Sequence, residues 1–159
     1  MERVVLVHLS DIHFTRTSGV SVHDIDKNVR NELVRDATRL ATKIGPITGV
    51  LVTGDIAFSG SKAEYDHATE WLREFCRTIK CPAESVWVVP GNHDVDREKA
   101  KRKVTRRLHQ GIREENSDVD RELREILSDA QSADALLDPL AEYNTFAGRF
   151  GCTRPMTPR

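Results

Sequence analysis

The chain has 159 residues, of which 38% are hydrophobic and 31% charged. That is the length of one domain, with the composition of a folded globular protein rather than a disordered chain. Lys and Arg number 24 against 25 Asp and Glu, which excludes a globally basic chain built to coat nucleic acid. No apolar run approaches the ~18 residues of a membrane span. The opening MERVVLVHLSD lacks the cleavage-site pattern of a signal peptide. Cys76, Cys81 and Cys152 are odd in number and form no CxxC pair. We therefore expect reduced thiols, no cysteine-based zinc site and a cytoplasmic location.

Residues 4–9 (VVLVHL) are aliphatic with little alternation, which predicts a strand buried on both faces. A loop from His13 to His23 follows, and Asp24 is the expected N-cap of a helix. The apolar positions Ile25, Val29, Leu33, Ala37, Leu40, Ala41 and Ile44 recur at helical spacing, and Gly45-Pro46 stops them. Residues 49–53 (GVLVT) predict a second strand ending at Gly54-Asp55. Ser61 and Glu64 have capping-box spacing, ahead of a helix face formed by Tyr65, Ala68, Leu72, Phe75, Cys76 and Ile79. Residues 85–89 (SVWVV) predict a third strand ending at Pro90-Gly91.

Short apolar strands alternating with helices indicate a parallel sheet, hence an α/β fold. Ligands of such sheets bind at the carboxyl ends of the strands. All three predicted strands end in polar residues: Asp11 and His13, then Asp55, then Asn92, His93 and Asp94. Adjacent strands would bring these ends together. Carboxylate, amide oxygen and imidazole suit Mn²⁺, Fe²⁺, Zn²⁺ or Mg²⁺ rather than soft Cu(I). Asp11 and His13 are two residues apart, so on extended backbone both can face one ion. A carboxylate such as Asp55 can bridge two ions, which sit ~3.5–4 Å apart in two-metal phosphoryl-transfer sites.

The D-x-H, GD and GNHD segments, read in HLSDIHF, LVTGDIAFSGSKAEY and VVPGNHDV, resemble the calcineurin-like metallophosphoesterase family. They are nearest in flavour to its bacterial cyclic-nucleotide phosphodiesterase-like members. The resemblance covers residues 4–95 and implies two divalent ions. On it, Asp11 and His13 would bind the first metal, Asp55 would bridge both, and Asn92 would bind the second. His93 would protonate the leaving group or stabilise the phosphoryl transition state, and Asp94 would orient His93. Gly54 and Gly91 would let the backbone turn tightly beside the metals. The implied activity is hydrolysis of a phosphomonoester or phosphodiester by metal-activated hydroxide.

The family also uses later histidines, one of them alone and a pair in G-H-x-H. Beyond Asp94 this chain has only His109 and no such motif. Three parallel strands alone would also leave one sheet face uncovered and an edge exposed. The expectation is therefore the parallel-sheet half of a metallophosphoesterase-type α/β sandwich, the N-terminal part of a longer enzyme. The missing C-terminal half or a second chain would complete the metal site. Residues 1–95 form this part, 96–150 a helical insertion or cap, and 151–159 a frayed tail. The alternatives are a degenerate fold acting as a non-catalytic binding module, and a nuclease-type member acting on DNA or RNA.

Residues outside the constellation have plainer readings. His8 reads as packed in the sheet, His23 as solvated or capping, and His67 and His109 as helix surface. Tyr65, Trp71 and Phe75 read as helix packing, and Cys76 as helix core. The basic run from Arg97 to Arg107 reads as a solvated helix face paired with the acidic stretch from Glu114 to Glu125. Phosphate or nucleic-acid binding is the alternative for that run.

Overall fold

The computed structural model describes residues 3–18, 24, 26–115 and 118–152. His23, Ile25 and most of the tail therefore lie outside the described residues. The elements are β1 (Leu6–Leu9), α1 (Lys27–Ile44), β2 (Gly49–Thr53), α2 (Lys62–Ile79), a 3-10 turn (Ala83–Ser85) and β3 (Val86–Val89). They continue with α3 (Arg97–Ala100), α4 (Lys103–Glu114), α5 (Val119–Ser128), α6 (Ala130–Leu137), a second 3-10 turn (Asp138–Leu140) and α7 (Ala141–Gly148). No helix among the described residues is long and apolar enough to cross a membrane.

The sheet runs β1-β2-β3, with both pairs parallel, as the alternation of strands and helices predicts. Its register aligns Val7 with Val50 and Val86, and Leu9 with Val52 and Val88. Laterally paired residues share a face. These form the core face, packed with Phe14, Ile56, Leu72, Phe75 and Ile79.

The opposite face corrects the expectation of strands buried on both sides. There Leu6 is 45% exposed, Trp87 48% and Val89 52%, with His8 and Thr53 beside them. The physical reason is winding. Strands added in one direction by crossovers of one hand put every connecting helix on the same side. On the open face His8 Nε2 lies 2.6 Å from Thr53 Oγ1, so His8 is held by the sheet but faces solvent.

α2 folds as its periodicity predicts, and its apolar face is fully in the core. Glu64 is buried and accepts from Ser59 N, Ser59 Oγ and Ser61 N at 3.0, 2.8 and 3.0 Å, fixing the loop before the helix. Trp71 stacks on Phe75, with ring centroids 5.1 Å apart. Burial pushes the Cys76 thiol up to about 11, well away from the reactive thiolate range. All three cysteines are free.

α1 starts later than expected, with Asp26 at its N-cap. Asp24 instead forms a buried ion pair with Arg30, whose guanidinium lies over the Phe14 ring. The charge of Arg30 drew the carboxylate away from the capping role.

The helical segment returns to the sheet through α7. Tyr143, Phe146, Ala147 and Phe150 belong to the same core as the strands. Tyr143 Oη donates to the Val88 carbonyl at 2.9 Å, and Phe146 stacks on Tyr65 with centroids 5.0 Å apart. Arg149 reaches Asp66 and Thr69, both at 2.8 Å, and so ties α7 to α2. Hydrogen bonds from Lys62 and then Arg149 hold the Asp66 carboxyl below its ordinary range.

Among the described residues the ion pairs of the basic run go elsewhere than to the acidic stretch. Lys99 and Arg102 bond Asp138 at 3.2 and 2.5 Å, and Lys101 bonds Glu98 at 2.7 Å. In the acidic stretch, Glu115 and Glu125 pair with its own Arg121, at 3.7 and 3.4 Å. Asp138 lies in the 3-10 turn that packs against α3, and Arg121 is close in sequence to both Glu115 and Glu125, so each run is paired from another source.

Candidate metal centre

The strand order places three polar loops side by side. The loops after β1 and β2 stay zipped beyond the strands. Asp11 N donates to Gly54 O at 3.2 Å, His13 N to Asp55 O at 3.0 Å, and Phe14 N to Ile56 O at 2.7 Å. Phe58 N returns to Phe14 O at 3.0 Å. His13 and Asp55 are thus locked together by their backbones before any side chain is considered.

Both residues, and Asp11, have left-handed backbone, with φ of 55° at Asp11, 52° at His13 and 51° at Asp55. Among the described non-glycine residues only Lys80 shares this property. Each such residue costs about 1–2 kcal/mol relative to right-handed backbone. Such strain gathers where function dictates side-chain direction. It also replaces the extended D-x-H geometry expected from the sequence: the segment turns at Asp11 and again at His13.

His13, Asp55 and His93 each bring a ligand atom within 4.8 Å of the other two. All three are half-buried, and the two imidazole rings meet edge to face with centroids 4.8 Å apart. His13 Nδ1 is buried without a hydrogen-bond partner among the described residues. A carboxylate with two imidazoles, one of them keeping a buried nitrogen unsatisfied, is a donor set that suits a divalent cation. Asp11 stands outside this cluster of three and is exposed, as is Asn92 beside His93.

Gly91 permits the approach of β3's loop. A Cβ there would stand 2.2 Å from Asp55 Oδ1 and 2.5 Å from Asp55 N. Any side chain at this position would displace Asp55. The same oxygen accepts from His93 N at 2.9 Å, so one carboxylate anchors the loop that carries His93.

Asp94 does not orient His93, which corrects the sequence expectation. Its carboxylate is fully buried and accepts from Gly91 N at 2.8 Å, Ala57 N at 2.9 Å and Ile56 N at 3.2 Å. Tyr65 Oη adds a fourth bond at 3.0 Å. A buried carboxylate is stable only when donors replace its water. Backbone N–H groups of two loops and one phenol do so here, leaving nothing for the imidazole. Burial first, and the neighbouring Asp94 second, push the Tyr65 phenol far above its usual range, so it remains a donor.

The group that orients His93 is the Phe58 carbonyl, 2.8 Å from Nδ1. A carbonyl only accepts, so Nδ1 carries the proton and Nε2 is left for chemistry. The Phe58 ring packs near both histidines, at 5.5 Å from His93 and 6.2 Å from His13. Sequence reasoning missed Phe58, because no residue pattern signals the use of a backbone carbonyl. It gave Tyr65 packing alone and missed its bond to Asp94.

A comparison with curated proteins finds no sequence match. A family model is informative where pairwise similarity is not. The one described as calcineurin-like phosphoesterase matches residues 4–145, running through all three strand-end loops and into α7. The strand-end cluster and this match across most of the chain agree, and the chain belongs to the calcineurin-like phosphoesterase family.

Proposed function

We propose that this chain supplies the strand-end part of a two-metal phosphoesterase centre hydrolysing a phosphomonoester or a phosphodiester. The observation that carries the reading is the His13, Asp55 and His93 cluster, in a chain of this family. Asp55 is the carboxylate that faces the ions, His13 the imidazole with an unsatisfied nitrogen, and Asp11 and Asn92 flank them as further ligands. When bound, the ions supply Lewis-acid activation of water and of the phosphoryl oxygens.

His93 carries the acid–base part. Its ring is fixed by the Phe58 carbonyl through Nδ1, so Nε2 is the atom that gives a proton to the departing ester oxygen. The Asp55 carboxylate holds the His93 backbone in place and limits how far the imidazole can shift.

Two octahedral ions need about twelve donor positions. The four ligands named here, Asp11, His13, Asp55 and Asn92, would fill a minority of them. Water can fill the others in this chain alone, and a second polypeptide segment would replace part of that water. The apolar sheet face around Leu6, Trp87 and Val89 supports that part of the reading, because an exposed apolar face is a place for another chain segment to pack. A small phosphodiester is our preferred substrate class, after the LVTGDIAFSGSKAEY segment.

The test is hydrolysis of bis(p-nitrophenyl) phosphate and p-nitrophenyl phosphate by the chain with added Mn²⁺. Turnover of either ester that requires Mn²⁺ and stops on chelation is the expected result. Metal binding without turnover of either would replace this reading with a non-catalytic binding module.

A further inference from the structure

Arg97, Lys101, Arg106, His109 and Arg113 line a single cavity of about 530 Å³ against α3 and α4. No carboxylate lines it among the described residues. Lys101 is paired with Glu98. Arg97, Arg106 and Arg113 have no ion-pair or hydrogen-bonding carboxylate partner among the described residues. The nearby acids are engaged elsewhere: Asp138 by Lys99 and Arg102, and Glu114 by Gln110 Nε2 at 2.7 Å.

Three uncompensated guanidinium groups around one concavity repel one another until an anion enters. Each guanidinium presents a planar fork that matches two oxygens of an oxyanion. One carboxylate matches one fork, whereas three forks around a cavity of this size match an anion with several oxyanion groups in succession. The chain's overall charge is near neutral, so attraction arises locally, from this cavity, and not from the whole surface. Arg97, at the start of α3, follows the His93–Asp94 loop closely in sequence.

We propose that this cavity binds successive phosphate groups, as presented by a nucleic-acid backbone or by a small polyphosphate. The proposal does not depend on metal or on hydrolysis, so its test is run in chelator. A fluorescently labelled oligothymidylate is titrated with the full chain by anisotropy, and tripolyphosphate is used as competitor. The native chain is compared with the double variant Arg106→Ala/Arg113→Ala and with Arg107→Ala. Arg107 carries the same charge on the same helix but does not line the cavity. All three residues are exposed, and circular dichroism checks that each variant folds.

The expected result is affinity at least tenfold weaker in the double variant and within twofold of native in Arg107→Ala. For three phosphate contacts on a single strand, log K should fall with log salt at a slope of about −2. Retention of oligonucleotide in the face of equimolar tripolyphosphate identifies the nucleic-acid backbone as the source. Displacement by it identifies a small polyphosphate. Failure of both the oligothymidylate and tripolyphosphate to bind the native chain, or equal weakening in Arg107→Ala and the double variant, overturns the proposal.

Discussion

Replacing Asp55 by alanine is expected to lower Mn²⁺-dependent phosphodiester hydrolysis by about a thousand-fold or more, the scale of losing a group aimed at the reacting charge. Asp55 is the one carboxylate in the cluster with His13 and His93. Without it the cluster has no anionic donor to offset a divalent charge, so metal affinity falls as well. The same change removes the acceptor of His93 N and leaves alanine on left-handed backbone with φ of 51°. Those effects destabilise the fold by about 1–2 kcal/mol, too little to unfold most domains. Asp55→Asn separates the terms. Asparagine tolerates this backbone and can still accept from His93 N, so it keeps the fold and loses the charge. Initial rates with bis(p-nitrophenyl) phosphate at saturating Mn²⁺ measure the effect. An unchanged rate in Asp55→Asn would show that the cluster does not carry the chemistry.

Asp94→Ala is expected to cost about 3–5 kcal/mol, because it strands several buried donors at once. Gly91 N, Ala57 N, Ile56 N and Tyr65 Oη all lose their acceptor in a fully buried position. In a domain of this size that corresponds to a fall in Tm of about 6–20 °C. The loops after β2 and β3 would also separate, since Asp94 is their shared anchor, and the His13–Asp55–His93 cluster would loosen. Tyr65→Phe removes one donor and leaves the carboxylate its three backbone bonds, so about 1 kcal/mol is expected. Thermal and urea unfolding of the two variants check both figures. A Tm change below about 2 °C in Asp94→Ala would show that these bonds do not hold the loops.

Much of this architecture was legible in the sequence because it is carried by short-range patterns. β2 has the predicted bounds, Gly49–Thr53, and the buried face of α2 follows its apolar spacing. Consecutive parallel strands then force three loop ends together, which is why the neighbourhood of His13, Asp55 and His93 could be anticipated. What escaped depends on distance in space. An aliphatic run reads the same whether one face or both are covered, so exposure of Trp87 and Val89 appeared only with the topology. Asp94 follows His93 in sequence, yet its carboxylate turns into the core to meet Ile56 N and Ala57 N, from the loop after β2. Asp24 looked like a helix cap until Arg30, one turn into α1, claimed it. The basic run and the acidic stretch are adjacent in sequence, but the fold brings Asp138 to Lys99 from farther along the chain, and Glu115 pairs with Arg121 inside its own stretch.

The most direct measurement is side-chain ¹H–¹⁵N NMR of the histidines during Zn²⁺ titration of the chain. His13 and His93 are expected to shift together along one binding curve, while His8, His67 and His109 do not move. Loss of both responses in Asp55→Asn would complete that result. Shifts confined to His109 or His8, or independent curves for His13 and His93, would contradict a shared cation site at the strand ends.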